Sequence, residues 1–172
     1  MLSRRMVLEA ILSYALIPGQ ASNSSFQLPD LKGFTEEGKA TRLSFYYGKP
    51  LLIHVWAAYC PHCIADMPKL NTLEQEIALL GLYDMARKDL EESKIEIGKI
   101  KTEQKHTAPN ILLPQTSLFQ LSDAYKTQTK EEFYVPTYFL LERSGICVHT
   151  QNGALTKEYL KLLQRKITQL QK

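Results

Sequence analysis

Trp56-Ala57-Ala58-Tyr59-Cys60-Pro61-His62-Cys63 is the stretch that decides the fold, and it follows an apolar run, Pro50-Leu51-Leu52-Ile53-His54-Val55. A helical pattern begins at Pro61. A strand, a tight turn and Cys-x-x-Cys at a helix start form the physical recipe for an activated thiol. A thiolate there faces unpaired backbone N–H groups and the positive end of the helix dipole, which lowers its pKa. Residues three apart share a helix face, so Cys60 and Cys63 are spaced to bridge each other. Cys60, at the first position of the motif, reads as the nucleophile and Cys63, one turn deeper, as the resolving thiol. The alternatives are a structural disulfide or half a zinc site. A zinc ribbon needs a second Cys or His pair, whereas Cys147 lies alone and His54, His106 and His149 are scattered.

Outward from the motif, Leu51–Trp56 is nearly all apolar, as suits a central strand covered on both faces. Ile64, Met67, Leu70 and Leu73 mark one buried helical stripe, with Pro68 expected to kink the helix. Residues 77–83 read as a second core strand and 109–114 as a short one. Residues 86–105, charged with sparse apolar positions, read as an exposed helix or a broken pair, and residues 118–126 as a short helix. Tyr134–Leu141 is an apolar strand opened by Pro136. Residues 146–150 pair back against it, and residues 156–170 form an amphipathic closing helix. Toward the N-terminus, residues 26–28 and 41–43 read as short strands, separated by turn signals at Asp30, Gly33 and Gly38.

The motif resembles the thioredoxin superfamily. Phe26-Gln27-Leu28-Pro29-Asp30-Leu31, Gly48-Lys49-Pro50, Trp56-Ala57 and Asp66-Met67-Pro68 together look most like its TlpA/ResA branch of exported thiol:disulfide oxidoreductases. The resemblance implies an α/β, thioredoxin-like fold: a central mixed β-sheet flanked by helices, with an N-terminal β-hairpin. It also implies a cis Pro136 facing the cysteines, with Val135 offering backbone groups to an extended substrate. Protein thiols and disulfides are the expected substrates, and no cofactor beyond the Cys60–Cys63 disulfide is expected. A reductase role such as cytochrome c maturation, recharged by a membrane electron donor, follows from the branch. Pro61-His62 pulls the other way. This dipeptide is also that of the DsbA oxidases, and His62 can hydrogen-bond to, or place charge near, the Cys60 sulfur, making the couple more oxidising. A solvated surface histidine is the other reading.

Trp56 and Tyr59 are read as an apolar platform flanking the motif. His54 stands where thioredoxins carry a buried Asp. It reads either as a neutral imidazole relaying the Cys63 proton or as a hydrogen-bonded core histidine. Asp66 stands where the TlpA/ResA pattern has a Glu, and reads either as a carboxylate acting on Cys63 or as a solvated one. Cys147 reads as a buried small hydrophobe.

The chain has 172 residues, enough for one buried core, with 44% hydrophobic and 23% charged residues. Its net charge of +3 is too small to point to nucleic acid, and three cysteines are too few for a disulfide scaffold. Residues 1–21 read as a signal peptide or N-terminal anchor: Ser3-Arg4-Arg5 is basic, residues 6–18 are mostly apolar, and Gly19-Gln20-Ala21 offers small residues for cleavage. Residues 22–172 are then the thioredoxin-like domain, placed in the periplasm or otherwise outside the cytoplasm, with a possible membrane anchor at residues 6–18. A reading from another class is a Cu(I) metallochaperone, since soft thiolates select that ion. No Met-rich or His-rich tract supports it.

Overall fold

The computed structural model describes residues 25–86 and 88–172. The segment read as a signal or anchor, and the domain boundary after residue 21, lie outside the described residues. Among these residues eight strands form one mixed sheet: β1 (Phe26–Gln27), β2 (Lys32–Phe34), β3 (Ala40–Arg42), β4 (Leu51–Trp56), β5 (Ala78–Asp84), β6 (Asn110–Leu113), β7 (Thr137–Leu141) and β8 (Ile146–Asn152). Their order across the sheet is β1-β8-β7-β4-β5-β6-β2-β3. Among the described residues four α-helices flank it: α1 (Pro61–Asn71), α2 (Leu90–Gln104), α3 (Gln115–Thr129) and α4 (Lys157–Leu170).

The apolar β4 is central, as its composition requires. It pairs in parallel with β5 and antiparallel with β7, and every residue in it is buried. Alternation divides its side chains between the two faces. Leu51, Ile53 and Val55 pack with Leu121 and Tyr125 of α3. On the other face Leu52 packs with Tyr159, Leu163 and Ile167 of α4, and Trp56 with Met67 of α1 and Ile97 of α2. Tyr159, Leu163 and Ile167 recur every four residues, and burying each contributes roughly 1.5–3 kcal/mol. Thr156 caps α4 by accepting from the Tyr159 N–H, as Asp89 caps α2 by accepting from Glu92.

The N-terminal strands differ from the sequence reading. A third short strand, β2, lies between the two read from the sequence, and it forms the hairpin with β3 and joins the sheet edge through Phe34 opposite Leu112. β1 pairs with β8 at the opposite edge, Phe26 opposite Cys147. Gly33 lies inside β2 rather than in a turn. A Cβ there would stand 2.5 Å from the Leu112 carbonyl oxygen, so the glycine serves a close strand approach. Gly38, at φ 83, is the turn glycine. The segment 86–105 contains the single helix α2, which buries Ser93, Ile97 and Ile100. Pro68 stands exposed within α1, whose helix continues past it to Asn71. α3 is longer than the apolar pattern shows because its polar ends are solvated faces; it runs from Pro114, as N-cap, to a left-handed Lys130 at φ 63.

Candidate active site

Extended β4 ends at Trp56, and the chain turns through Ala57-Ala58-Tyr59, the Cys60 N–H donating to the Ala57 carbonyl at 3.1 Å. Cys60 then takes the N-cap position of α1, where Pro61 at N1 gives up an N–H that had no helical acceptor. Cys60 and Cys63 are joined by a disulfide, S–S 2.08 Å. The Cys63 N–H donates to Cys60 Sγ at 3.2 Å. A Cys60 thiolate would stand at that same donor, at the positive end of the helix. Both cysteines are buried, Cys60 with 6% of its surface exposed and Cys63 with 0%. Pro61 and His62 are exposed on the first turn of α1.

Trp56 is fully buried and packs in one apolar cluster with Cys60 and Cys63. Tyr83 meets its indole edge-on at 4.8 Å between centroids, and its Nε1–H donates to Asn110 Oδ1 at 2.8 Å. Tyr59 stays on the surface, 65% exposed. Its hydroxyl donates to Asp84 Oδ2 at 2.6 Å, and Asp84 Oδ1 accepts the Ala86 N–H at 2.6 Å. Partial burial of the hydroxyl end, then the Asp84 carboxylate, pushes the phenol up to about 12. Asp84, Asn110 and Glu36 carry no signal in the sequence. They are single polar residues that matter only because the fold brings Asp84 to Tyr59, Asn110 to Trp56 and Glu36 to Asn110.

His54 lies on the Trp56 face of β4. Its ring stacks on Tyr138 at 5.1 Å and on Trp56 at 6.4 Å. Neither ring nitrogen has a hydrogen-bond partner among the described residues, so the hydrogen-bonded core histidine, one of the two readings from sequence, is not formed. Burial, with His106 a lesser cause, pushes its pKa down to about 3. Asp66 is neither solvated nor turned to Cys63. Only 1% exposed, it accepts from Lys69 Nζ at 2.6 Å on Oδ1, and from the Tyr138 hydroxyl and the Leu155 N–H, both 2.7 Å, on Oδ2. Those bonds tie α1 to β7 and to the entrance of α4.

The Val135–Pro136 peptide bond is cis, and Val135 packs against the cluster containing Cys60 and Cys63. The Pro136 carbonyl accepts the Gly153 N–H at 2.8 Å. Cys147 is a free, buried thiol raised to about 12 by burial, with Sγ donating to the His149 carbonyl at 3.3 Å. Among the described residues no group of three or more His, Cys, Asp or Glu gathers in a way that could hold a metal, and no helix is long and apolar enough to cross a membrane.

Comparison with known proteins agrees with this geometry. The family described as Redoxin matches residues 21–163. The thiol-disulfide oxidoreductase YkuV of Bacillus subtilis is 29% identical over 149 residues, covering 83% of this chain and 93% of the relative. The thiol-disulfide oxidoreductase ResA of Geobacillus kaustophilus is 29% identical over 133 residues, 77% of this chain and 68% of the relative. A solved structure of a secreted thiol-disulfide isomerase from Corynebacterium glutamicum superposes with TM-score 0.68 at 14% identity, covering 92% of this chain and 97% of that one.

Proposed function

We propose, from the premise that this chain belongs to the redoxin family and is a thiol-disulfide oxidoreductase, that it reduces disulfides of exported proteins outside the cytoplasm. The observation that carries the direction of attack is the place of the two cysteines on the helix: Cys60 is the N-cap and keeps 6% of its surface, whereas Cys63 lies inside the helix and keeps none. In the dithiol form, the Cys60 thiolate attacks one sulfur of a substrate disulfide. That S–S bond breaks, a mixed disulfide forms, and one substrate thiolate leaves. Cys63 then attacks Cys60 Sγ, releases the second substrate thiolate and closes the Cys60–Cys63 bond. Two electrons pass to the substrate, whose thiolates take protons from Cys63 and solvent. Val135, packed beside the cysteine cluster ahead of cis Pro136, is the backbone against which an extended substrate pairs.

The export reading is supported by Ser3-Arg4-Arg5 followed by the apolar residues 6–18. Maturation of cytochrome c, with a membrane electron donor recharging the pair, is the role we assign within the ResA type. A second reading, donation of disulfides, is favoured by the exposed Pro61-His62 pair on the first turn. Equilibrating the protein with glutathione and dithiothreitol separates them. A potential near about −270 mV supports the reductase, and one near about −120 mV overturns it in favour of the oxidase.

A further inference from the structure

Trp56 is the only tryptophan of the chain, and its orientation is fixed from a distance. The indole N–H donates to Asn110 Oδ1 at 2.8 Å across 54 residues of sequence. Asn110 is oriented in turn by Glu36: its Nδ2 donates to Glu36 Oε1 at 2.9 Å and its backbone N–H to the same oxygen at 3.0 Å. A carboxylate on one side and an indole donor on the other leave only one assignment for the amide oxygen and nitrogen. Lys101 of α2 closes the chain, its Nζ meeting both Glu36 oxygens at 2.8 and 3.0 Å. Gly81 makes the path possible, since a Cβ there would stand 1.8 Å from Asn110 Oδ1 and 3.0 Å from Trp56 Nε1. From the other side Tyr83, packed on the indole, donates its hydroxyl to Glu96 of α2 at 2.6 Å. The β2–β3 turn, β6 and α2 thus converge on the ring that packs in one apolar cluster with Cys60 and Cys63.

We propose that Asn110 and Glu36 are positioning residues for the exchange reaction, acting through Trp56 to set how strongly the Cys60–Cys63 pair favours the disulfide. The proposal rests on the oxidoreductase activity and holds for either physiological direction. A ring pinned by charge-assisted hydrogen bonds keeps one packing surface, the one that accommodates the joined sulfurs. Without Asn110 the indole loses its acceptor, and the ring that packs in one cluster with Cys60 and Cys63 is no longer held in the arrangement that accommodates the joined sulfurs. Losing the chain therefore shifts the pair toward dithiol.

The test is equilibration with glutathione, in which two glutathione thiols reduce Cys60–Cys63 and leave as one glutathione disulfide. Trp56 emission and direct thiol trapping read the same equilibrium. Asn110→Ala is expected to move the equilibrium constant at least tenfold toward dithiol, about 30 mV for a two-electron couple. Glu36→Gln, whose amide oxygen still accepts from Asn110, moves it less in the same direction. Lys126→Met, removing an ion pair with Glu132 outside this chain of contacts, leaves it unchanged. A purely structural role weakens both redox forms alike. An Asn110→Ala protein that is less stable but within twofold of the native constant therefore overturns the proposal. Should that variant fail to fold, Gly81→Ala and Glu36→Gln carry the same test, and native constants for both overturn it. Failure of the native protein to exchange with glutathione would instead overturn the activity itself.

Discussion

Lowering the pH from 8 to 5 loads the fold through His54. In the unfolded chain this imidazole titrates near the ordinary histidine value; folded, burial holds it at about 3. The folded pKa is depressed, so above about 6.5 the imidazole is neutral in both states and adds no pH dependence. Below that, the unfolded chain takes up a proton that the native state refuses, and stability falls as pH falls toward 3. For an unfolded value of 6.5, the loss from His54 between pH 8 and pH 5 is about 2 kcal/mol, and it changes little for any folded value below about 4. His149, pushed down to about 4 chiefly by burial, adds to the fall in the same direction. The test is urea unfolding of the oxidised protein and of His54→Leu at both pH values. The variant is expected to lose about 2 kcal/mol less than the native protein on acidification. At pH 8 it should be at least as stable, since two unpartnered buried nitrogens are removed at the expense of ring stacking worth about 0.5–1.5 kcal/mol. An unchanged pH dependence in the variant would refute the reasoning, because it would mean that His54 is not kept neutral by burial.

Asp66→Ala strands the Tyr138 hydroxyl and the Leu155 N–H, and should cost about 3–5 kcal/mol by denaturant unfolding; Asp66→Asn should cost less. Cys63→Ser should accumulate a mixed disulfide through Cys60 on incubation with a disulfide-bonded substrate, whereas Cys60→Ser should accumulate none; mass spectrometry reads both. In the native dithiol protein at pH 8, iodoacetamide should label Cys60 and spare Cys147, whose thiolate fraction at a pKa of about 12 is on the order of 10⁻⁴. Tyr59→Phe removes one hydroxyl from Asp84 and should cost about 1–2 kcal/mol with the Cys60–Cys63 potential unmoved, which equilibrium unfolding and redox titration would check together.

The parts of the fold that were legible in the sequence are those in which one short window carries the whole signal. β4, the turn at Tyr59 and the start of α1 are such a window: an unbroken apolar run, then two thiols at helical spacing. α4 is another, through Tyr159, Leu163 and Ile167. Within the hairpin, β2 was missed because a three-residue strand shows no alternation, and because Gly33 is there for the backbone of Leu112 and not for a turn. α2 was half legible: only Ser93, Ile97 and Ile100 are buried along it, too sparse a stripe to separate one helix from two. Asp66 was found by its place in the motif, but its partners were not, since Leu155 lies 89 residues away. Glu36 and Asn110, 74 residues apart, had no local pattern at all. Periodicity reports which face is buried; it does not report which polar groups meet there.

That distinction bears on how Cys63 loses its proton. Sequence reading offered His54 and Asp66 as acceptors, and each is constrained by its surroundings. A neutral imidazole with a pKa of about 3 is a weak base at neutral pH, far from the match between base and operating pH that makes general-base transfer effective. The Asp66 oxygens are occupied by Lys69, Tyr138 and Leu155, an arrangement that fixes α1 in place. The remaining supply of thiolate character is the N-terminus of α1 itself. Its Cys63 N–H already points at Cys60 Sγ, and the helix dipole acts on both sulfurs at no cost in buried charge. The backbone at the start of α1 is therefore the group placed to act on Cys60, while Asp66 holds α1 against β7 and the entrance of α4.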